Sequence, residues 1–183
     1  MSLLIAAPAW AHPGHDHVAS FSQGIAHPLS GMDHLLAMVM VGLFAVQRGG
    51  RALWLLPATF VTAMAAGSLV GTSGVAVSAV EWGIGLSVVM LGAAIAFRLP
   101  VPTAAAAVAI ALIAVMHGHA HGAEAPGQTS LAYVAGFLAS TAALHAAGIA
   151  VGIGIARLLH GQAATRIAGG LGAGAGLLLL ATH

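Results

Sequence analysis

The 183-residue chain contains no cysteine and no lysine, and only 5% of its residues are charged. Without cysteine there is no disulfide framework, no thiolate metal site and no cysteine nucleophile. Without lysine there is no P-loop of the form GxxxxGK[ST], so this polypeptide is not itself a P-loop ATPase. A net charge of +1 is too small to suggest a nucleic-acid partner. Soluble domains carry roughly a quarter charged residues. Here 60% of residues are hydrophobic and the mean hydropathy is +1.00, which excludes an ordinary water-soluble fold.

What remains is a chain made to sit in lipid. A spanning helix needs about 20 residues, so the length allows six or seven spans with short loops and no separate soluble domain. Apolar length and Gly/Pro punctuation predict an all-α integral membrane bundle with spans at roughly 24–47, 52–72, 78–98, 102–122, 129–157 and 163–181. Residues 12–23 form a His-rich segment ahead of this six-helix domain, 24–183. Within residues 1–11, an apolar stretch from Leu3 to Ala7 precedes Ala9-Trp10-Ala11, a small-x-small pattern that fits signal-peptidase cleavage. Against that reading, the stretch is short and lacks a basic residue; retained and spanning, it would make a seventh helix. The five basic residues, Arg48, Arg51, Arg98, Arg157 and Arg166, all fall in turns on one side of the predicted bundle. The positive-inside rule places those turns in the cytoplasm and both termini on the periplasmic side of the inner membrane.

Histidine is the anomaly. Eleven histidines outnumber the five arginines, two aspartates and two glutamates together, and ionisable groups inside a membrane are costly enough to be functional candidates. In HPLSGMDHLLAM, residues 27–38, Pro28 suits a first helical turn with His27 just outside it. Asp33 and His34 would then lie roughly 8 to 9 Å deeper. If that helix holds, His27 and His34, seven apart, share a stripe, with Gly31 opening space between them. In MHGHAHGAEAPG, residues 116–127, His117, His121 and Glu124 stand at i, i+4 and i+7 on one face, and His119 points elsewhere. Gly118 and Gly122 weaken helicity there, so a broken helix of the transporter kind is an alternative.

His145 lies near the middle of the fifth predicted span and joins His34, His117, His121 and Asp33 as a candidate metal ligand, while Glu81 opens the third span beside Trp82, as an anchor or a ligand. The tail histidines His12, His15 and His17, with His119, could capture a metal on the outer side. His160 and His183 have no identifiable partner. Imidazole with carboxylate suits nickel, cobalt or zinc, and the absence of cysteine argues against a thiolate copper site. The expected partners are therefore a metal ion and the bilayer, with no organic cofactor. The pairs Gly148/Gly152 and Gly170/Gly174 have the spacing that lets helices approach, within the chain or in a homo-oligomer.

On these residues the chain resembles the HupE/UreJ family, bacterial membrane proteins associated with nickel supply to hydrogenase and urease. The resemblance rests on HPLSGMDHLLAM, on HGHAHGAE and on the FLASTAALHAAG stretch that carries His145, and it extends over essentially the whole chain. It implies metal-site roles for His27, Asp33, His34, His117, His121 and Glu124, and it names nickel. The first motif is also similar to the signature of the wider nickel/cobalt permeases. That signature has four residues between the first His and the Asp-His pair, where this chain has five, Pro28 to Met32.

The activity expected is passage of a divalent metal, Ni2+ foremost, by a facilitator or secondary transporter rather than an enzyme. Two rivals come from other classes. His34 and His145 on facing spans could ligate haem in a b-type electron carrier. Alternatively, His117, His121 and Asp33 could hold zinc in a membrane hydrolase with Glu124 as base.

Overall fold

The computed structural model describes residues 18–75, 80–158 and 162–182. The N-terminal segment expected as a signal peptide, the tail histidines His12, His15 and His17, and His160 and His183 lie outside these residues. Among the described residues there are seven helices and no strand longer than a single bridge: α1 Phe21–Ser30, α2 Met32–Arg48, α3 Ala52–Thr72, α4 Val80–Ala96, α5 Thr103–Ala123, α6 Leu131–Leu158 and α7 Gln162–Leu180. Helices α3, α5, α6 and α7 are long and apolar enough to cross a membrane. Together α1 and α2 qualify as one bent span, and α4 is apolar but shorter. Large apolar side chains such as Leu131, Phe97, Leu171 and Leu178 point outward, while the most buried residues include three histidines. This inside-out polarity suits a multi-pass membrane bundle.

The first predicted span is not one helix. It breaks at Gly31, and α1 and α2 meet at 87°. The helix also begins earlier than expected, at Phe21, because Ser20 and Gln23 form a reciprocal capping box there. Pro28 therefore does not start a helix but lies in the last turn of α1, and His27 lies within the helix rather than before it. The fixed φ of proline is compatible with a helix. The break falls instead on Gly31, which is extended at φ −101° and ψ 120°. A β-carbon there would come within 2.8 Å of Asp33 Oδ1 and 3.1 Å of His34 Nδ1. The stripe expected for His27 and His34 on a single helix is thus lost. The chain ahead of α1 is tied to the α5–α6 loop by Ala19 N–H donating to Gln128 O at 2.9 Å and by Ser130 Oγ donating to Ala19 O.

Helix α5 runs unbroken through Gly118 and Gly122, so the alternative of a broken helix does not hold. Those glycines serve packing. Gly118 and Gly122 face the carbonyls of Met64 and Ser68 on α3, and Gly67 and Gly71 of α3 face the carbonyls of Val115 and His119 in return. Backbone lies directly on backbone along this seam, the device by which transmembrane helices approach most closely. Gly148 is used likewise against Val39 of α2, and Gly152 packs against Val46 and Leu43, both within the chain. Gly170 and Gly174 have no neighbour within 4 Å of a β-carbon among the described residues.

The arginines gather at the opposite end from the histidine motifs. The Arg48 guanidinium donates to Leu99 O and Val101 O, Arg166 Nε to Ala96 O at 2.8 Å, and Arg98 to Gln162. These bonds tie the α4–α5 turn to the end of α2 and the start of α7, and they supply cations to carbonyls near the C-terminus of α4.

Candidate metal centre

Both motifs arrive at one place. The break at Gly31 turns α1 across the end of the bundle, where Gly24 packs on the backbone of Tyr133 and Phe137 in α6, and Gly136 packs on Phe21 and Gly24. His27 is thereby brought from above onto His121, with ring centroids 4.9 Å apart. His34, in the first turn of α2, contacts the same ring at 4.8 Å and the His117 ring at 5.1 Å. Two residues expected on one helical stripe therefore reach His121 from two different helices. His117 and His121 hold the i, i+4 face expected of them. Glu124 is the C-cap of α5, with Oε2 3.4 Å from His27 Nε2.

The carbonyl and carboxylate partners settle the protons. Asp33 Oδ1 accepts from the backbone N–H of His34 at 2.7 Å and from His34 Nδ1 at 2.9 Å. His117 Nδ1 donates to Ile113 O at 3.0 Å, because a carbonyl can only accept. Whenever these imidazoles are neutral, the free lone pair is then on Nε2. Both Nε2 atoms are buried without a partner among the described residues, and so are both ring nitrogens of His121. An imidazole whose Nδ1–H is held by a carboxylate or backbone carbonyl is the usual form of a metal ligand. The two bonds to Asp33 fix the orientation of the His34 ring. The place of Asp33 in the first turn of α2 also sets its charge at the positive end of that helix.

Glu124 lies outside the spans, and the hydrogen bond from His27 holds its carboxyl below the usual carboxylate range against the opposing effect of burial. With Glu81, His27, Ser30, Gly31, Asp33, His34 and Ile84 it lines a half-open cavity of about 210 Å³ above the imidazoles. Glu81 therefore faces the site rather than serving as an interfacial anchor alone. His119 turns away as expected, donating from Nε2 to Val75 O at 2.7 Å. His145 is fully buried but separated from the cluster by Phe60, whose ring contacts His117 at 5.4 Å and His145 at 5.0 Å. Among the described residues no three His, Asp or Glu side chains stand close enough to hold one ion as they are placed.

Several neighbours were not anticipated from the sequence. Tyr133 OH donates to His121 O at 3.3 Å, and Phe137 stacks on the His121 ring at 5.0 Å. Thr141 points at the sulfurs of Met38 and Met64. The signal was present in part: Tyr133, Phe137, Thr141 and His145 recur every four residues and so line one face of α6.

The HupE / UreJ protein family model matches residues 1–179. The chain belongs to the HupE/UreJ family. It is 44% identical over 183 residues to Protein HupE of Rhizobium leguminosarum bv. viciae, a match that covers 98% of this chain and 93% of that one. No solved structure matches it. HupE/UreJ membership supports metal transport in general terms, with a metal ion as substrate, and a multi-pass membrane location.

Proposed function

We propose that the protein carries Ni2+, and less favourably Co2+, across the bacterial inner membrane as a facilitator or secondary transporter and not as an enzyme. The observation that carries this reading is the convergence of His34, His117 and His121, buried, with lone-pair nitrogens that have no partner among the described residues. Buried polar atoms left unpaired cost free energy, and a transiently bound cation offsets that cost. A nitrogen-rich, oxygen-assisted set suits borderline divalent ions. In this reading the bent α1–α2 pair is one span, α4 is another, and six spans place both termini outside.

The route follows from the geometry. Glu81, Glu124, Asp33 and His27 at the cavity rim attract a hydrated cation, and His121, His34 and His117 replace its water. His145 lies beyond Phe60, and seven residues further along α6, about 10 Å by helical rise, Gly152 lines a second half-open cavity of about 350 Å³ with Gln47, Arg98 and Thr165. The packed rings of His117 and Phe60 occupy the space a haem would need between His34 and His145, which disfavours the electron-carrier reading.

The test is uptake of nickel, cobalt and zinc into proteoliposomes by the parent, His34→Ala and His121→Ala. Each variant is expected to lose nine-tenths or more of nickel uptake. Full uptake by both would remove the site, and cleavage of a substrate without metal accumulation would favour a hydrolase.

A further inference from the structure

One helical turn below His34, the lining changes from nitrogen to sulfur. Met38 follows His34 by four residues on α2, Met64 follows Phe60 by four on α3, and Thr141 precedes His145 by four on α6. The Thr141 hydroxyl reaches both sulfurs, Met38 Sδ at 3.3 Å and Met64 Sδ at 3.8 Å. One hydroxyl proton can serve only one of two sulfurs at a time, so at least one thioether is left without it. Met38, Met64 and Thr141 are each 0% exposed, and His145 is 1% exposed with both ring nitrogens unpartnered among the described residues. On a helix the Cα–Cβ bond leans toward the N-terminus, which tips His145 back toward the level of Thr141.

We infer that Met38, Met64, Thr141 and His145 form a second cation site, distinct from the imidazole cluster, that takes a soft d10 monovalent ion such as silver(I) or copper(I). The ligand set supplies the reason. Two thioethers and an imidazole are soft to borderline donors, and thioether sulfur selects such ions. None of the four groups is a carboxylate, so a divalent ion would give up its hydration here without charge compensation, whereas a monovalent ion has far less to lose. Ordinary packing explains a buried methionine. It does not explain two sulfurs converging from two helices on one hydroxyl, one helical turn from a histidine with neither nitrogen satisfied among the described residues. The site does not depend on nickel passing through the protein.

The experiment uses the full chain in lipid nanodiscs, with its seven methionines labelled with carbon-13 at the methyl, and titration with silver nitrate in chloride-free buffer. The methyl signals of Met38 and Met64 are expected to shift together and saturate near one equivalent, in the parent and in His121→Ala alike. Met38→Leu and Met64→Leu, swaps that cores tolerate well, should each weaken silver binding at least tenfold. Selenomethionyl protein should show silver–selenium scattering by X-ray absorption, which tests the parent without any substitution. Unmoved Met38 and Met64 signals at five equivalents, undiminished affinity in the double Leu variant, or loss of the shift in His121→Ala would each overturn the proposal. Failure of nickel uptake with the silver response intact would refute the transport reading and leave this site standing.

Discussion

Replacing Gly118 with alanine tests whether the α3–α5 seam sets the metal site. A β-carbon at residue 118 would run into the carbonyl of Met64, and the Met64 carbonyl carbon and Cα would lie 2.8 and 2.9 Å away. Ordinary contact begins near 3.5 Å, so the two helices must separate by something on the order of 1 Å. Overpacking of this kind costs about 1–3 kcal/mol. At about 2–4 °C per kcal/mol for a chain of this size, the midpoint of thermal unfolding should fall by roughly 2–12 °C. Function should suffer more than stability, because His117 and His121 flank Gly118 on α5 and their approach to His34 depends on where that helix lies. Misplacement by about 1 Å at a site of fixed geometry can cost roughly a hundredfold. The assay is nickel uptake into proteoliposomes alongside thermal unfolding in detergent, with Gly170→Ala as control because no described residue lies within 4 Å of a β-carbon there. If Gly118→Ala behaves like Gly170→Ala in both measurements, backbone contact along the seam does not position the histidines.

Other expectations follow from the same geometry. Asp33→Asn keeps the shape but removes the charge that fixes the His34 tautomer, and nickel affinity measured by isothermal titration should fall about 10–100-fold; an unchanged affinity would mean Asp33 does not orient His34. Gly31→Ala favours a continuous helix and sets a β-carbon against Asp33 Oδ1 and His34 Nδ1, so uptake should fall sharply while the protein is still expressed and inserted. Uptake should decline as the medium is acidified from about pH 7 to about pH 5, since protons compete with metal for imidazole. Glu124, held below its usual value by His27, stays ionised throughout that range, and its own contribution is lost only as pH falls through its lowered value. Glu124→Gln should therefore reduce uptake at neutral pH, and unchanged uptake there would contradict the assignment.

Long apolar runs, few charges and arginines confined to alternate turns determined from the sequence alone that this is a helical membrane bundle with a basic end and a histidine end. Lipid leaves few other ways to satisfy the backbone. The i, i+4, i+7 spacing of His117, His121 and Glu124 was equally legible, because helical periodicity is local. Where the first span breaks was not. Pro28 and Gly31 are both plausible breakers three residues apart, and the choice depends on Gly24 and Gly136 allowing α1 to lie across α6. Only that docking brings His27 onto His121. Gly118 and Gly122 read as weak points in a helix until their partners on α3 are known. Met38, Met64 and Thr141 look like ordinary membrane residues until three helices place them at one level. Contacts between distant segments are decided by how closely backbones can approach, and only the folded bundle shows which glycines meet.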